Sequence, residues 1–135
     1  MRKNKGFTLV ELLVVVAIIG VLVAISIPIF TTQLHKARVA TDWANIRSYF
    51  GEIQADFIST GEYNSKVPNG HEDGIYDRTE IDFLDGQKVQ LKDGYFFVTH
   101  NTSGSGYQIS YYCNKCRIPS QYDKHKNTCI LILGS

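Results

Sequence analysis

The chain has 135 residues, with 14 Lys and Arg against 13 Asp and Glu, and 44% of it is hydrophobic. This length holds one small domain, and a formal charge of +1 excludes the dense basic surface of a dedicated nucleic-acid binder. No Ser-His-Asp set, phosphate loop or dinucleotide fingerprint occurs, so the residues point away from catalysis; a membrane-tethered enzyme or a single-pass sensor is the alternative of another class.

The first six residues, Met1-Arg2-Lys3-Asn4-Lys5-Gly6, carry three cations, and Phe7 to Phe30 then runs apolar with one charge, Glu11. A secretory signal is cut after its apolar core, next to small residues. Here Gly6 stands before that core, which places the cut ahead of the anchor and lets the anchor survive. The run is long enough for a membrane span of about 20 residues. A carboxylate in hydrocarbon costs several kcal/mol unless it finds a partner, so Glu11 marks a functional position. The plainer alternative is that Glu11 snorkels to the membrane surface from a helix end.

The string Lys5-Gly6-Phe7-Thr8-Leu9-Val10-Glu11-Leu12-Leu13, followed by Gly20 and Pro28 in the same apolar run, resembles the type IV pilin family. That family includes pilus subunits and the pseudopilins of secretion and DNA-uptake machines. The resemblance implies an α+β type IV pilin fold, in which a long N-terminal helix, half of it transmembrane, packs on an antiparallel sheet of three to four strands. It implies cleavage between Gly6 and Phe7 by a prepilin peptidase, N-methylation of Phe7 by the same enzyme, and assembly through Phe7, Glu11, Gly20 and Pro28. The expected division is a leader at 1–6, a transmembrane and assembly half-helix at 7–30, and a globular head at 31–135. Self-polymerisation into a helical filament, an assembly platform with an ATPase motor, and minor pilins follow as partners, with no cofactor and no specific nucleic acid. The implied setting is the cytoplasmic membrane before assembly and a cell-surface filament after it, serving adhesion, aggregation or twitching motility. A pseudopilin of a type II secretion or competence system is the alternative. Physically, the new amine of Phe7 would be neutralised by Glu11 of a neighbouring subunit, and either charge alone would be stranded in apolar surroundings. The pair then gauges register during assembly. Removal of the leader leaves 11 basic against 13 acidic residues, a charge of −2.

Pro28 removes a backbone donor and crowds the preceding turn, so a kink or local unwinding is expected between Gly20 and Pro28. Membrane helices also tolerate both residue types. Beyond Pro28, Val39, Trp43, Ile46, Phe50, Ile53 and Phe57 recur four and three apart, which predicts one buried helical stripe. Arg47, Glu52 and Asp56 lie off the stripe and are expected to face solvent or neighbours. Thr60-Gly61 is the expected helix stop.

Residues 62–80 read as a polar connection, with a short strand at Glu80 to Leu84. Lys88 to Leu91 and Tyr95 to Thr99, separated by Asp93-Gly94, predict a hairpin. A second turn at Ser103-Gly104-Ser105-Gly106 leads into Tyr107 to Tyr111, and Cys129 to Leu133 reads as a final strand of the same antiparallel sheet. His71, Glu72, Asp73, Asp77, Glu80 and Asp82 supply oxygen ligands of the kind that hold calcium, but their spacing matches no ordered calcium loop, and a solvated acidic loop is the expectation.

Cys113, Cys116 and Cys129 are the three cysteines. The family resemblance implies a disulfide from Cys129 to Cys113 or Cys116 in an oxidising compartment. Cys113, Cys116, His125 and Cys129 alternatively make a Cys3His zinc set headed by C-x2-C, and free buried thiols are the third reading.

Overall fold

A local device starts the first helix. Thr8 and Glu11 stand at the spacing of a capping box: the Thr8 N–H donates to Glu11 Oε2 at 3.0 Å, and the Glu11 N–H donates to Thr8 Oγ1 at 3.3 Å. Helix α1 follows at once, from Leu9 to Thr60. The computed structural model describes residues 5–117 and 129–134. Every residue through Gly20 and Pro28 stays helical, so the expected unwinding does not occur. The hydroxyls of Thr31 and Thr32 donate to the Pro28 carbonyl at 3.0 and 3.1 Å, bonds made within the helix turn that follows the proline. At the far end Gly61 takes φ +75°, and its N–H donates to the Phe57 carbonyl at 2.8 Å, which closes the helix where the sequence placed the stop.

The chain divides into two units, Met1–Lys36 and Ala37–Ser135. In the first, the apolar side chains from Phe7 to Phe30 are all exposed. The second has a core built on the later part of α1. Val39, Ile46 and Ile53 are buried as the stripe predicts, while Trp43, Phe50 and Phe57 pack partly buried around them. Asp42 and Tyr49 join the buried face as well.

A single turn, α2 (Gly70–Asp73), interrupts the polar connection; Asn69 caps it through its side chain, and Gly74 closes it at φ +71°. The strands are β1 (Glu80–Asp82), β2 (Lys88–Gln90), β3 (Gly94–His100), β4 (Tyr107–Cys113) and β5 (Ile130–Leu133). They form two antiparallel sheets, β1-β2 and β3-β4-β5. In the larger sheet Phe96 lies opposite Tyr111, and Tyr111 opposite Leu131. These three fill the core with Ile109, Val98 and Tyr107. Tyr49 meets the rings of Phe83 and Phe96 edge-on at 5.6 and 6.2 Å, a favoured aromatic geometry.

The hairpin expected around Asp93-Gly94 is corrected. Strand β2 pairs back with β1, Ile81 opposite Val89, and its turn is the preceding Asp-Gly, Asp85-Gly86. Gly86 sits at φ +92°, Asp85 accepts the Gln87 N–H at 2.8 Å, and the Phe83 N–H meets the Gln87 carbonyl at 2.8 Å. Asp93-Gly94 cannot act as a two-residue turn, because the Lys92 and Asp93 N–H groups are taken by Asp42 of α1. Gly94 instead opens β3 with the Tyr111 ring where a Cβ would stand. The turn at 101–106 forms as expected, with the Asn101 N–H donating to the Gly106 carbonyl at 2.7 Å. The fold is thus α+β, a long helix with antiparallel sheets of two and three strands.

Candidate functional site

Two regions carry the residues singled out by sequence. The first is the start of α1. Lys5 to Thr8 is irregular backbone, and Phe7 is 87% exposed. A Cβ built on Gly6 meets nothing within 4 Å, so the Gly6-Phe7 peptide is sterically open. Four residues on, Glu11 is exposed and its Oε2 is held by the Thr8 N–H. Sequence reasoning gave Glu11 one job, to meet an amine, and missed this second one. The Thr-x-x-Glu spacing was the available signal. The cap fixes the carboxylate at the positive end of the helix dipole, directly after the Gly6-Phe7 peptide.

Leu9 to Phe30 presents apolar side chains on every side, and α1 is long and apolar enough to cross a membrane. A helix apolar all round is suited to lipid or to the interior of an assembly. A Cβ on Gly20 would meet no neighbour within 4 Å, leaving a small notch on that surface.

The second region is the C-terminal part of the head. Cys113, the last residue of β4, is bonded to Cys129 just before β5, with their Cα atoms 5.2 Å apart. This resolves the choice of partner for Cys129 in favour of Cys113, and it uses two of the sulfurs that the zinc reading required. Cys116 lies on the 3-10 turn Asn114–Arg117, while His125 falls outside the described residues. Closure of this loop constrains the unfolded chain by about 3 kcal/mol in the chain-entropy model.

The acidic residues between helix and sheet do not converge. Asp73 accepts the Ile75 N–H and pairs with Arg78; the Ile75 bond, with Arg78 adding to it, holds its carboxyl below the usual range. Glu80 and Asp82 both reach Lys88 at 3.0 Å, and Asp82 first, then Glu80, raises the Lys88 ammonium. These are exposed pairs of small energetic weight.

Sequence reasoning missed the most constrained acid of the head. Asp42 is fully buried and accepts the Lys92 N–H at 2.6 Å, the Asp93 N–H at 2.8 Å and the Tyr111 hydroxyl at 2.9 Å. Three donors satisfy the carboxylate that burial would otherwise penalise. Glu52 and Asp56, expected to face outward, are half-buried and engaged: Glu52 takes the Leu84 N–H at 3.0 Å and Asp56 the Asn64 amide at 2.9 Å. Asp56 stands three residues from the stripe member Ile53, whereas Glu52 stands at that spacing only from Tyr49, which the stripe did not include.

Residues 1–27 match the family model of the prokaryotic N-terminal methylation motif. The chain is 29% identical over 106 residues to a fimbrial protein of Neisseria meningitidis serogroup A, covering 78% of this chain and 61% of the relative. It is 34% identical over 109 residues to a fimbrial protein of Pseudomonas aeruginosa, covering 78% and 66%. Likeness therefore continues through the head and is not confined to the motif. The chain belongs to the type IV pilin family. Another family relative, the type IV narrow pilus major component of Thermus thermophilus, is 42% identical over 73 residues, covering 50% of this chain and 63% of its own. The matches span about three fifths to two thirds of the length of these pilin-family relatives. No solved structure matches the chain significantly.

Proposed function

We propose that the chain is a structural subunit of a type IV pilus, cut between Gly6 and Phe7 by a prepilin peptidase and methylated on the Phe7 amine. The supporting observation is the start of α1: an open Gly6-Phe7 peptide, an acid held one turn further on, and an apolar surface with no cover among the described residues. Residues 1–6 are the leader, 7–30 the assembly and membrane half-helix, and 31–135 the head. Before assembly the apolar half-helix resides in the cytoplasmic membrane; in the filament it exchanges lipid for copies of itself, with Gly20 and Pro28 on the packed length. Glu11 neutralises the Phe7 amine of the adjoining copy and so selects the register at which subunits add. The assembly platform, its ATPase motor and the minor pilins are supplied by other chains, and the filament serves adhesion, aggregation or twitching. The disulfide-closed C-terminal region favours a pilus over a pseudopilus, since an exposed filament needs a head that stays folded outside the cell.

Mass spectrometry of the surface protein tests the reading. The expected first residue is N-methylated Phe7; an intact Met1 terminus in a cell that holds the peptidase overturns it. Glu11→Ala is expected to be cut and inserted normally but to lower filament yield at least tenfold, the factor that corresponds to about 1.4 kcal/mol. Undiminished yield removes the register role.

A further inference from the structure

Within the head, the buried side chain of Asn69 joins the short turn α2 to the end of β3. Its Oδ1 accepts the His71 N–H at 3.2 Å, the bond that caps α2, and its Nδ2 lies 3.4 Å from Nδ1 of His100. A backbone N–H can only donate, so the amide oxygen must point to His71 and the NH2 group to His100. Nδ1 of His100 is therefore the acceptor, and the neutral ring holds its proton on Nε2. The cap of α2 thus sets the tautomer of a histidine 31 positions away.

The ring is fixed on its other sides. Tyr63 stacks on it with centroids 3.7 Å apart and planes at 8°, Tyr107 meets it edge-on at 5.7 Å, and the Tyr63 hydroxyl is tied to the Gly106 carbonyl at 3.2 Å. His100 cannot swing away from Asn69 without breaking that stack. The titratable groups set about it, among the described residues, are Tyr63 of the polar connection, Tyr107 of β4, His71 beyond Asn69, and Asp56 of α1, which acts on Tyr107 and accepts the Asn64 amide at 2.9 Å.

A proton added to Nδ1 sets donor against donor. The Asn69 amide meets it only by turning half a revolution, which brings its NH2 group against the His71 N–H and removes the cap. Charge on His100 and the cap on α2 exclude each other. The loss reaches the surface, because a Cβ on Gly70 would stand 3.3 Å from the Ile75 carbonyl and from the Tyr76 ring, so the start of α2 packs against both. Ile75 and Tyr76 are 42% and 44% exposed, within a stretch, residues 71–77, that is exposed throughout.

We propose that His100 and Asn69 form a pH switch, in which protonation of the imidazole turns the Asn69 amide, releases the cap of α2 and loosens the exposed strip from His71 to Tyr76. Histidine is the side chain whose charge ordinarily changes between pH 5 and 8. The switch belongs to the head and does not depend on membrane residence or polymerisation.

Nitrogen-15 NMR of the full chain in detergent micelles reads both ends of the switch. At pH 8 the His100 ring is expected as the Nε2–H tautomer. As the pH is lowered to 5 and the ring charges, the backbone amide of residue 71 should lose about fivefold in hydrogen-exchange protection, corrected for the intrinsic rate, the scale of one lost side-chain cap. His71→Gln keeps that amide and should keep the response, which separates it from titration of His71 itself. His100→Gln should abolish the response. Asn69→Asp should abolish it too, because one carboxylate oxygen keeps the His71 N–H while the other accepts from the charged ring. An Nδ1–H tautomer at pH 8 overturns the switch, as does a ring that stays neutral at pH 5 or one that charges with protection unchanged. A response that survives His100→Gln, or is undiminished in Asn69→Asp, overturns it equally.

Discussion

Asp42 shows how one side chain can redirect a strand. It lies four positions before Ile46 and three after Val39, so helix periodicity places it on the buried face, yet its polarity removes it from any list of core residues. The backbone of 92–93 supplies its donors, and these groups are invisible in a pattern of side chains. Asp42→Ala takes their shared acceptor from the buried Tyr111 hydroxyl and from the part-buried Lys92 and Asp93 N–H groups, each loss costing about 1–3 kcal/mol. Thermal unfolding of the detergent-solubilised chain should show a loss of about 3–5 kcal/mol, and Tyr111→Phe a loss of about 1 kcal/mol. Tyr49 allows a pH test. Burial, with Tyr107 adding, pushes its phenol above the ordinary value of 10.0. In that window the unfolded chain has lost the proton and the folded chain keeps it. The stabilisation is therefore complete below pH 10 and falls as pH rises toward the folded value. Unfolding measured from pH 9 to 12 should show stability declining above pH 10, less steeply in Tyr49→Phe.

At the scale of elements, Asp85-Gly86 and Asp93-Gly94 share a local signature and have different outcomes. Asp85-Gly86 makes the turn because the Gly86 N–H donates back to the Phe83 carbonyl at 3.0 Å and glycine can take φ +92°. Asp93-Gly94 is occupied by the helix on one side and the Tyr111 ring on the other. Gly94→Ala should thus destabilise the head by overpacking, by about 1–3 kcal/mol, although alanine suits a strand no worse than glycine. Gly86→Ala should cost about 1 kcal/mol through its positive φ alone. Equal losses in urea titration would remove the distinction. Helix α1, its stop at Gly61, the turn at 101–106 and the strands of the larger sheet were legible because each rests on local periodicity or turn chemistry. The turn α2 was not, since four residues are too few to show a period.

At the scale of the molecule, the Cys113–Cys129 bond joins the end of β4 to the start of β5, both in the core. Cys113→Ser/Cys129→Ser should lower head stability by about 3 kcal/mol, and reduction of the unaltered chain should lower it equally. Chelators should leave the melting temperature unchanged, and a drop on chelation would point back to the zinc reading. The proposed assembly site at Gly6, Phe7 and Glu11 was read from sequence, because an isolated acid in an apolar run is conspicuous in one dimension. Its capping bond to Thr8 needed geometry.

Sequence alone determined what depends on neighbours a few positions apart: the apolar run, the buried stripe, the helix stop and the order of the later strands. Tertiary structure decided what depends on groups far apart in the chain. These are the partner of β2, the pairing of Cys129, and the burial of Asp42 fifty positions from its donors. Backbone donors and acceptors are alike at every residue, so only packing selects which of them meet.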